Sequence, residues 1–545
     1  MAPAWRRRPP RRSLCPRARC RRRSPHASKG SAHTVSAVAS TTPGARFRHL
    51  EATVDQLQAE MGAGRLSAQA LTAAYTARIR ALDRHGPSVG SVIEMNPDAS
   101  AIARALDRER ETTGPRGPLH GIPVLIKDNI ATGDRMSTSA GSLALAGVTA
   151  IRDSHLVARL RDAGAVILGK TNLSEWANIR SSHSTSGWSA RGGQTRNPYA
   201  LDRNPSGSSS GSAAAVASNF AAVAVATETD GSIVSPANAN GVVGIKPTVG
   251  LVSRDGIIPI SHSQDTAGPI GRTVADAAAL LAAIAGVDAH DAATSEAKFA
   301  DYAKALRGNA LKGARLGVVR SEFGSSPAVD EVIEDALRLL AAKGAVLVDP
   351  VELQLAAELQ EAELDVLLTE LKAGVAGWLP EFMPQAPVQS LADVIDWNTA
   401  HTAEELRWFG QEFFEQAQAR GDLKSPEYLR SLSTCRRVAR REGIDATLRA
   451  DSLDALVAPT GGPAWLTDLV NGDHYGGSFS TPAAVAGYPH VTVPAGFVHG
   501  LPVGISFVGT AWSEARLIGL AHGFERAASA RRPPTFAASA ALGGD

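Results

Sequence analysis

The chain has 545 residues, 44% of them apolar and 20% charged, the balance of a globular enzyme and long enough for two or three domains. Its formal charge of +2 hides an asymmetry: residues 1–30 hold ten Arg, one Lys and no acid, which leaves the remainder near −9. An acidic body excludes a general nucleic-acid footprint, and no apolar run reaches the ~18–20 residues that a helical membrane span requires.

Residues 1–45 are Arg, Pro, Ser and Ala and cannot bury enough apolar surface to fold. Three readings stand for them: a nucleic-acid-binding arm, a signal-like segment ending near Ala37-Val38-Ala39, or translation from a start upstream of the true one. The compartment follows that choice, periplasmic or secreted with a signal and cytoplasmic without one. Cys15, Cys20 and Cys435 make neither a disulfide framework nor a metal pattern.

From residue 46 onward no linker or repeat interrupts the chain, and residues 46–545 read as one large α/β domain with a mixed central sheet covered by helices on both faces. Val54, Leu57 and Met61 begin a helical stretch over 51–82, and a further helix covers 98–111. Residues 122–126 are a short apolar run between Gly-Pro breaks and predict a strand buried on both faces, with Lys127 at its C-terminal end. A helix over 153–163 leads to a strand over 165–168. Residues 172–205 are polar and loop-like, and long ordered loops are disproportionately functional. Residues 213–228 are small and apolar and read as one packed element. A strand follows within 241–248, then a helix over 276–285. Strands over 316–319 and 346–348 flank a helix over 329–343. Residues 351–450 are helix-rich, and strands over 453–458, 491–494 and 504–509 close the domain.

Gly164-Ala-Val-Ile-Leu-Gly169-Lys170-Thr171 matches a phosphate-binding loop in letters. Such a loop needs four residues with inward-pointing N–H groups, and Ala-Val-Ile-Leu is itself a strand, so no nucleotide site is expected. The stretch with chemical weight is Gly207-Ser-Ser-Ser-Gly-Ser212, followed by Thr229-Asp-Gly-Ser232. A Gly/Ser loop running into a packed element, then a second tight turn, can hold two serines rigidly side by side. Lys127 lies upstream in Gly121-Ile-Pro-Val-Leu-Ile-Lys-Asp-Asn129. A lysine serves as a base only when neutral. Its ordinary pKa of about 10.4 must then fall to near 7, at a cost of about 4 kcal/mol that burial at a dry strand end can impose.

These parts, in this order and with 24 residues between Ser208 and Ser232, resemble the amidase signature family. The resemblance implies Ser232 as nucleophile, Ser208 as the bridging serine after a cis peptide bond, and Lys127 as base. It also implies an oxyanion hole from the backbone N–H groups of Thr229, Asp230, Gly231 and Ser232. No cofactor and no metal is implied. The chain departs from many members at Ser206 and at Asp230, each of which stands where a Gly is common. Within the family it is similar to bacterial peptide amidases, in Gly169-Lys-Thr-Asn-Leu-Ser-Glu-Trp-Ala-Asn178, in residues 187–198, 227–233 and 246–266, and in Gly509-Thr-Ala-Trp-Ser-Glu514. That implies hydrolysis of the C-terminal carboxamide of a peptide amide to the free acid and ammonia; the sequence does not give the oligomeric state, and a monomer is the expectation. Other carboxamides are an alternative substrate class, and the A subunit of a Glu/Asp-tRNA amidotransferase is an alternative identity, though it requires partner subunits. A remoter alternative takes Ser209 in Gly207-x-Ser209-x-Gly211 as an α/β-hydrolase nucleophile. That motif must follow a strand directly, and two prolines precede it here.

Overall fold

Short aliphatic runs between Gly and Pro breaks become the strands of one large mixed sheet. The structure, a computed structural model, describes residues 47–541; the expectations for residues 1–45 lie outside them. From His49 on, the chain forms one unit. Its strands are β1 (Val92–Met95), β2 (Pro123–Lys127), β3 (Val166–Thr171), β4 (Trp188–Ser189), β5 (Gly193–Gln194), β6 (Val223–Glu228), β7 (Val243–Lys246), β8 (Thr266–Gly271), β9 (Arg315–Val319), β10 (Val346–Val351), β11 (Ala455–Pro459), β12 (His490–Val498) and β13 (Leu501–Val508).

β4 and β5 form a separate hairpin. The other eleven order as β1-β3-β2-β6-β8-β7-β12-β13-β11-β9-β10. Pairing is parallel through β3-β2-β6 and β11-β9-β10 and antiparallel at β1 and through the centre. Every residue of β2, β3, β6, β7, β8 and β13 is buried, which requires cover on both faces.

Several elements differ from the sequence expectations. Residues 213–228 are two elements: a buried helix, Ser210–Ala217, and β6, joined by a turn in which Asn219 takes φ 59°. Small apolar residues satisfy either period, so composition alone does not reveal the break. β1 and β8 lack a clear apolar alternation. β8 carries Gly268 because it runs so close to its neighbour that a Cβ there would meet the Ile245 carbonyl oxygen at 2.1 Å. β3 extends through Gly169, Lys170 and Thr171, so the phosphate-loop lookalike is strand throughout. Lys170 points inward, donating to the Ile130 carbonyl and to Thr138 Oγ1, and burial lowers its pKa to about 8.

The helix-rich stretch contributes the long helix Leu359–Phe382, whose Leu368, Leu371, Val375 and Phe382 share a core with Trp176 and Phe414. Through that core the stretch is fixed to residues 172–205. No helix among the described residues is long and apolar enough to cross a membrane.

Candidate active site

β2 lies between two parallel neighbours, β3 and β6, and delivers Lys127 at its C-terminal end, the edge where open α/β sheets bind ligands. Lys127 is fully buried. Its Nζ lies 2.8 Å from Ser208 Oγ, 2.9 Å from Thr227 Oγ1 and 3.2 Å from the Thr227 carbonyl oxygen. Burial drives its pKa down to about 7, against the smaller opposing pull of the Asp265 and Glu228 carboxylates. A neutral amine has two N–H groups and one lone pair. The Thr227 carbonyl can only accept, and Thr227 Oγ1 is already within 3.0 Å of Asn129 Nδ2, a further donor. The remaining direction, toward Ser208, is the one open to the lone pair.

Ser208 follows a cis peptide bond from Gly207, in the turn that enters the helix Ser210–Ala217. Ser232 lies beyond β6, and the two chain segments are tied together where Ser209 N donates to the Ser232 carbonyl at 3.2 Å. Ser208 and Ser232 line the same cavity, of about 570 Å³. Ser232 is 8% exposed, and among the described residues no side-chain hydrogen bond engages its hydroxyl. Ser209 is different: its Oγ donates to the Thr227 carbonyl at 3.0 Å, it is buried, and no strand precedes it. The reading of Ser209 as an α/β-hydrolase nucleophile therefore lacks both a strand directly before it and a free hydroxyl.

The turn Thr229–Asp230–Gly231–Ser232 is held from several sides. Gly231 has φ 76°, and a Cβ there would sit 2.9 Å from Ser235 Oγ and 3.0 Å from Ser480 Oγ, so glycine is required. Thr229 Oγ1 donates to Asp265, whose other oxygen accepts from the N–H groups of Ile260 and Ser261, both at 2.8 Å. Burial raises the Asp265 pKa to about 6. Glu228 Oε2 accepts from the Ile233 and Val234 N–H groups at 2.6 and 3.0 Å and fixes the start of the helix Val234–Ala239. Thr481 Oγ1 donates to Asp230 Oδ2 at 2.6 Å.

The cavity walls come from the long polar loop 172–205, from the helix-rich stretch, and from a loop after β11. Residues 177–179, 181–184 and 186 and the helix-rich Leu367 and Phe413 line it, as do Trp465, Asn471, Asp473 and Tyr475. The Trp465 and Tyr475 rings meet edge to face at 5.4 Å. Residues 465–475 carry no regular pattern in the sequence; the signal available was a Trp and a Tyr in a Gly-containing loop of mixed polarity. Thr227, Asp265 and Glu363 were also missed as site residues. Thr227 bonds Lys127 from β6, Asp265 bonds Thr229 from a loop, and Glu363 reaches the turn through Gln264 from a helix, and spacing does not encode that.

Mixed sheet, buried lysine and paired serines define an α/β hydrolytic enzyme. A model of the family described as Amidase matches residues 70–518, and the chain belongs to that family. It is 41% identical to a probable amidase of Arabidopsis thaliana over 504 residues, covering 90% of this chain and 93% of that one. It is 34% identical to the A subunit of the glutamyl-tRNA(Gln) amidotransferase of Chloroflexus aurantiacus, covering 87% and 96%. Among solved structures it is 55% identical to native peptide amidase from Stenotrophomonas maltophilia, with a TM-score of 0.85 and coverage of 90% and 99%. The protein is an amidohydrolase acting on amides.

Proposed function

We propose that the chain hydrolyses the C-terminal carboxamide of peptide amides through Ser232, Ser208 and Lys127. Ser232 Oγ attacks the carboxamide carbon. Its proton passes to Ser208, whose own proton passes to neutral Lys127. Backbone N–H groups of the Thr229–Ser232 turn stabilise the oxyanion. As the intermediate collapses and the C–N bond breaks, the departing NH₂ takes the proton back from Lys127 through Ser208 and leaves as ammonia. Water then hydrolyses the acyl-enzyme by the same relay.

The observation that carries this reading is the buried Lys127 amine at 2.8 Å from Ser208 Oγ, with Ser208 and Ser232 lining one cavity. The peptide part rests on the 55% identity to a peptide amidase and on a cavity large enough for more than a small amide. The amidotransferase reading draws on the 34% relatives but needs partner subunits.

Incubation with an amidated peptide tests the proposal. The expected product is about one mass unit heavier, NH₂ having become OH, with one ammonia released and internal peptide bonds intact. Internal fragments, or turnover only with tRNA and added subunits, would overturn it.

A further inference from the structure

Asp230 occupies the oxyanion turn, and its carboxyl lines the catalytic cavity. One oxygen, Oδ2, accepts from Thr481 Oγ1. The other, Oδ1, is buried and meets no donor. A buried acceptor left without a partner costs about 1–3 kcal/mol, so what faces it matters. A second carboxyl, that of Glu363 on the helix Leu359–Phe382, lies within hydrogen-bond reach of the Asp230 carboxyl. Glu363 is itself buried, and its Oε1 accepts from Gln264 Nε2 at 2.9 Å. The same Nε2 reaches the Thr229 carbonyl at 3.3 Å. A ring of contacts thus leaves the turn at Asp230, passes through Glu363 and Gln264, and returns to it at Thr229.

Two carboxylates facing one another in a dry site cannot both be ionised. Burial raises both groups, and Glu363 is raised well above the carboxylate range. The surroundings decide which one keeps the proton. Around Asp230 stand the Ser480 and Thr481 hydroxyls and the Lys246 ammonium, all favouring its charged form; Glu228 and Tyr475 lie nearby and carry no positive charge. Around Glu363 stand Gln264, Asp230 and the Cys435 thiol, with no cation of its own. The proton therefore belongs on Glu363, and the bond runs from Glu363 to Asp230.

We propose that Glu363, protonated, is a positioning residue: it donates to Asp230 Oδ1, and with Gln264 sets the Thr229–Ser232 turn at the geometry that binds the oxyanion. The shared proton also keeps the negative charge beside the oxyanion at one rather than two. The inference rests on the reading of Ser232 as nucleophile and of this turn as the oxyanion hole.

Three variants test it, with kcat and KM measured on one peptide amide. Glu363→Gln can donate to Asp230 through Nε2 and accept from Gln264 through Oε1, and should keep kcat within about threefold. Glu363→Met keeps the length but cannot donate, and should lose about 100-fold in kcat with KM changed little, the cost of a small misplacement of catalytic groups. Thermal melting shows whether each is folded. If the Met variant does not fold, Glu363→Gln still decides, because an amide that fails to restore kcat excludes the shared proton. Equal activity of the Met variant and the parent, or an equal loss in both variants, would overturn the proposal. Ser232→Ala separates the two levels: if it stays active the catalytic reading fails, whereas an inactive Ser232→Ala beside a fully active Glu363→Met sinks the positioning role alone.

Discussion

Lys127 and Ser208, 81 residues apart in the chain, meet with Nζ 2.8 Å from Oγ in a site closed to water around the lysine. The pair unites two properties that rarely coincide: a strong hydrogen-bond contact and an amine that burial holds near neutrality. A charged ammonium there could only donate. The neutral form can receive the Ser208 proton.

The first prediction concerns pH. The Lys127 pKa lies at about 7, so the productive neutral form is lost as pH falls through that value. A profile of kcat/KM should show an acid limb centred near 7 and a plateau above it. Lys127→Arg stays protonated at every accessible pH and should lose about four orders of magnitude, the scale set by loss of a catalytic member. An active Arg variant removes the proton-accepting role.

Folding stability should depend on pH through the same group. The folded pKa of Lys127 is depressed, so between about 7 and about 10.5 the unfolded chain binds a proton that the folded chain does not. Stability from this group therefore rises with pH across that window and is at its lowest below 7. Chemical denaturation of Lys127→Met beside the parent checks the sign: the pH slope between 7 and 10 should be smaller in the variant.

Thr227 offers a third test. Its Oγ1 accepts from Lys127 at 2.9 Å. Removing an acceptor disfavours the ammonium more than the amine. Thr227→Val should therefore move the acid limb to lower pH while lowering kcat. A limb that moves to higher pH contradicts the hydrogen-bond account.

The two serines of the alternative readings separate cleanly. Ser232→Ala should abolish turnover and leave the melting temperature near that of the parent. Ser209 bonds the Thr227 carbonyl and caps no chemistry, so Ser209→Ala should cost about 1 kcal/mol in stability and keep most of the activity. Burst kinetics with an activated ester or amide give an independent readout, since only Ser232 variants should lose the acyl-enzyme phase.

Substrate selectivity should follow the apolar part of the cavity lining. Phe413 and Leu367 come from the helix-rich stretch, and Trp465 from the loop after β11. Phe413→Ala should raise KM about tenfold for peptide amides with a large apolar residue near the scissile amide, with kcat little changed, as expected for loss of uniform binding. A small amide such as acetamide should not register the change.

The sequence by itself determined the family, the candidate residues Lys127, Ser208 and Ser232, and the strand that carries Lys127. Those features are local: an apolar run between Gly and Pro breaks, a Gly/Ser loop, and a fixed spacing from Ser208 to Ser232 that leaves room for a helix and a returning strand. It also disposed of the phosphate-loop lookalike, because Ala-Val-Ile-Leu can be read as strand from its residues alone. Tertiary structure decided the rest. Whether Lys127 is a base depends on how completely β3, β6 and the helix Ser210–Ala217 exclude water from it, and burial is a property of the assembled layers. Residues 213–228 look uniform because Ala and Val fit helix and strand equally, so only packing around the turn at Asn219 divides them. Trp465 and Tyr475 reach the cavity from a loop more than 200 residues after Ser232, and Glu363 reaches Asp230 from a separate helix. Such contacts arise from the sheet order, in which β6 and β11 are separated by four strands from two distant parts of the chain, β8 with β7 and the hairpin β12–β13, and no local pattern records them.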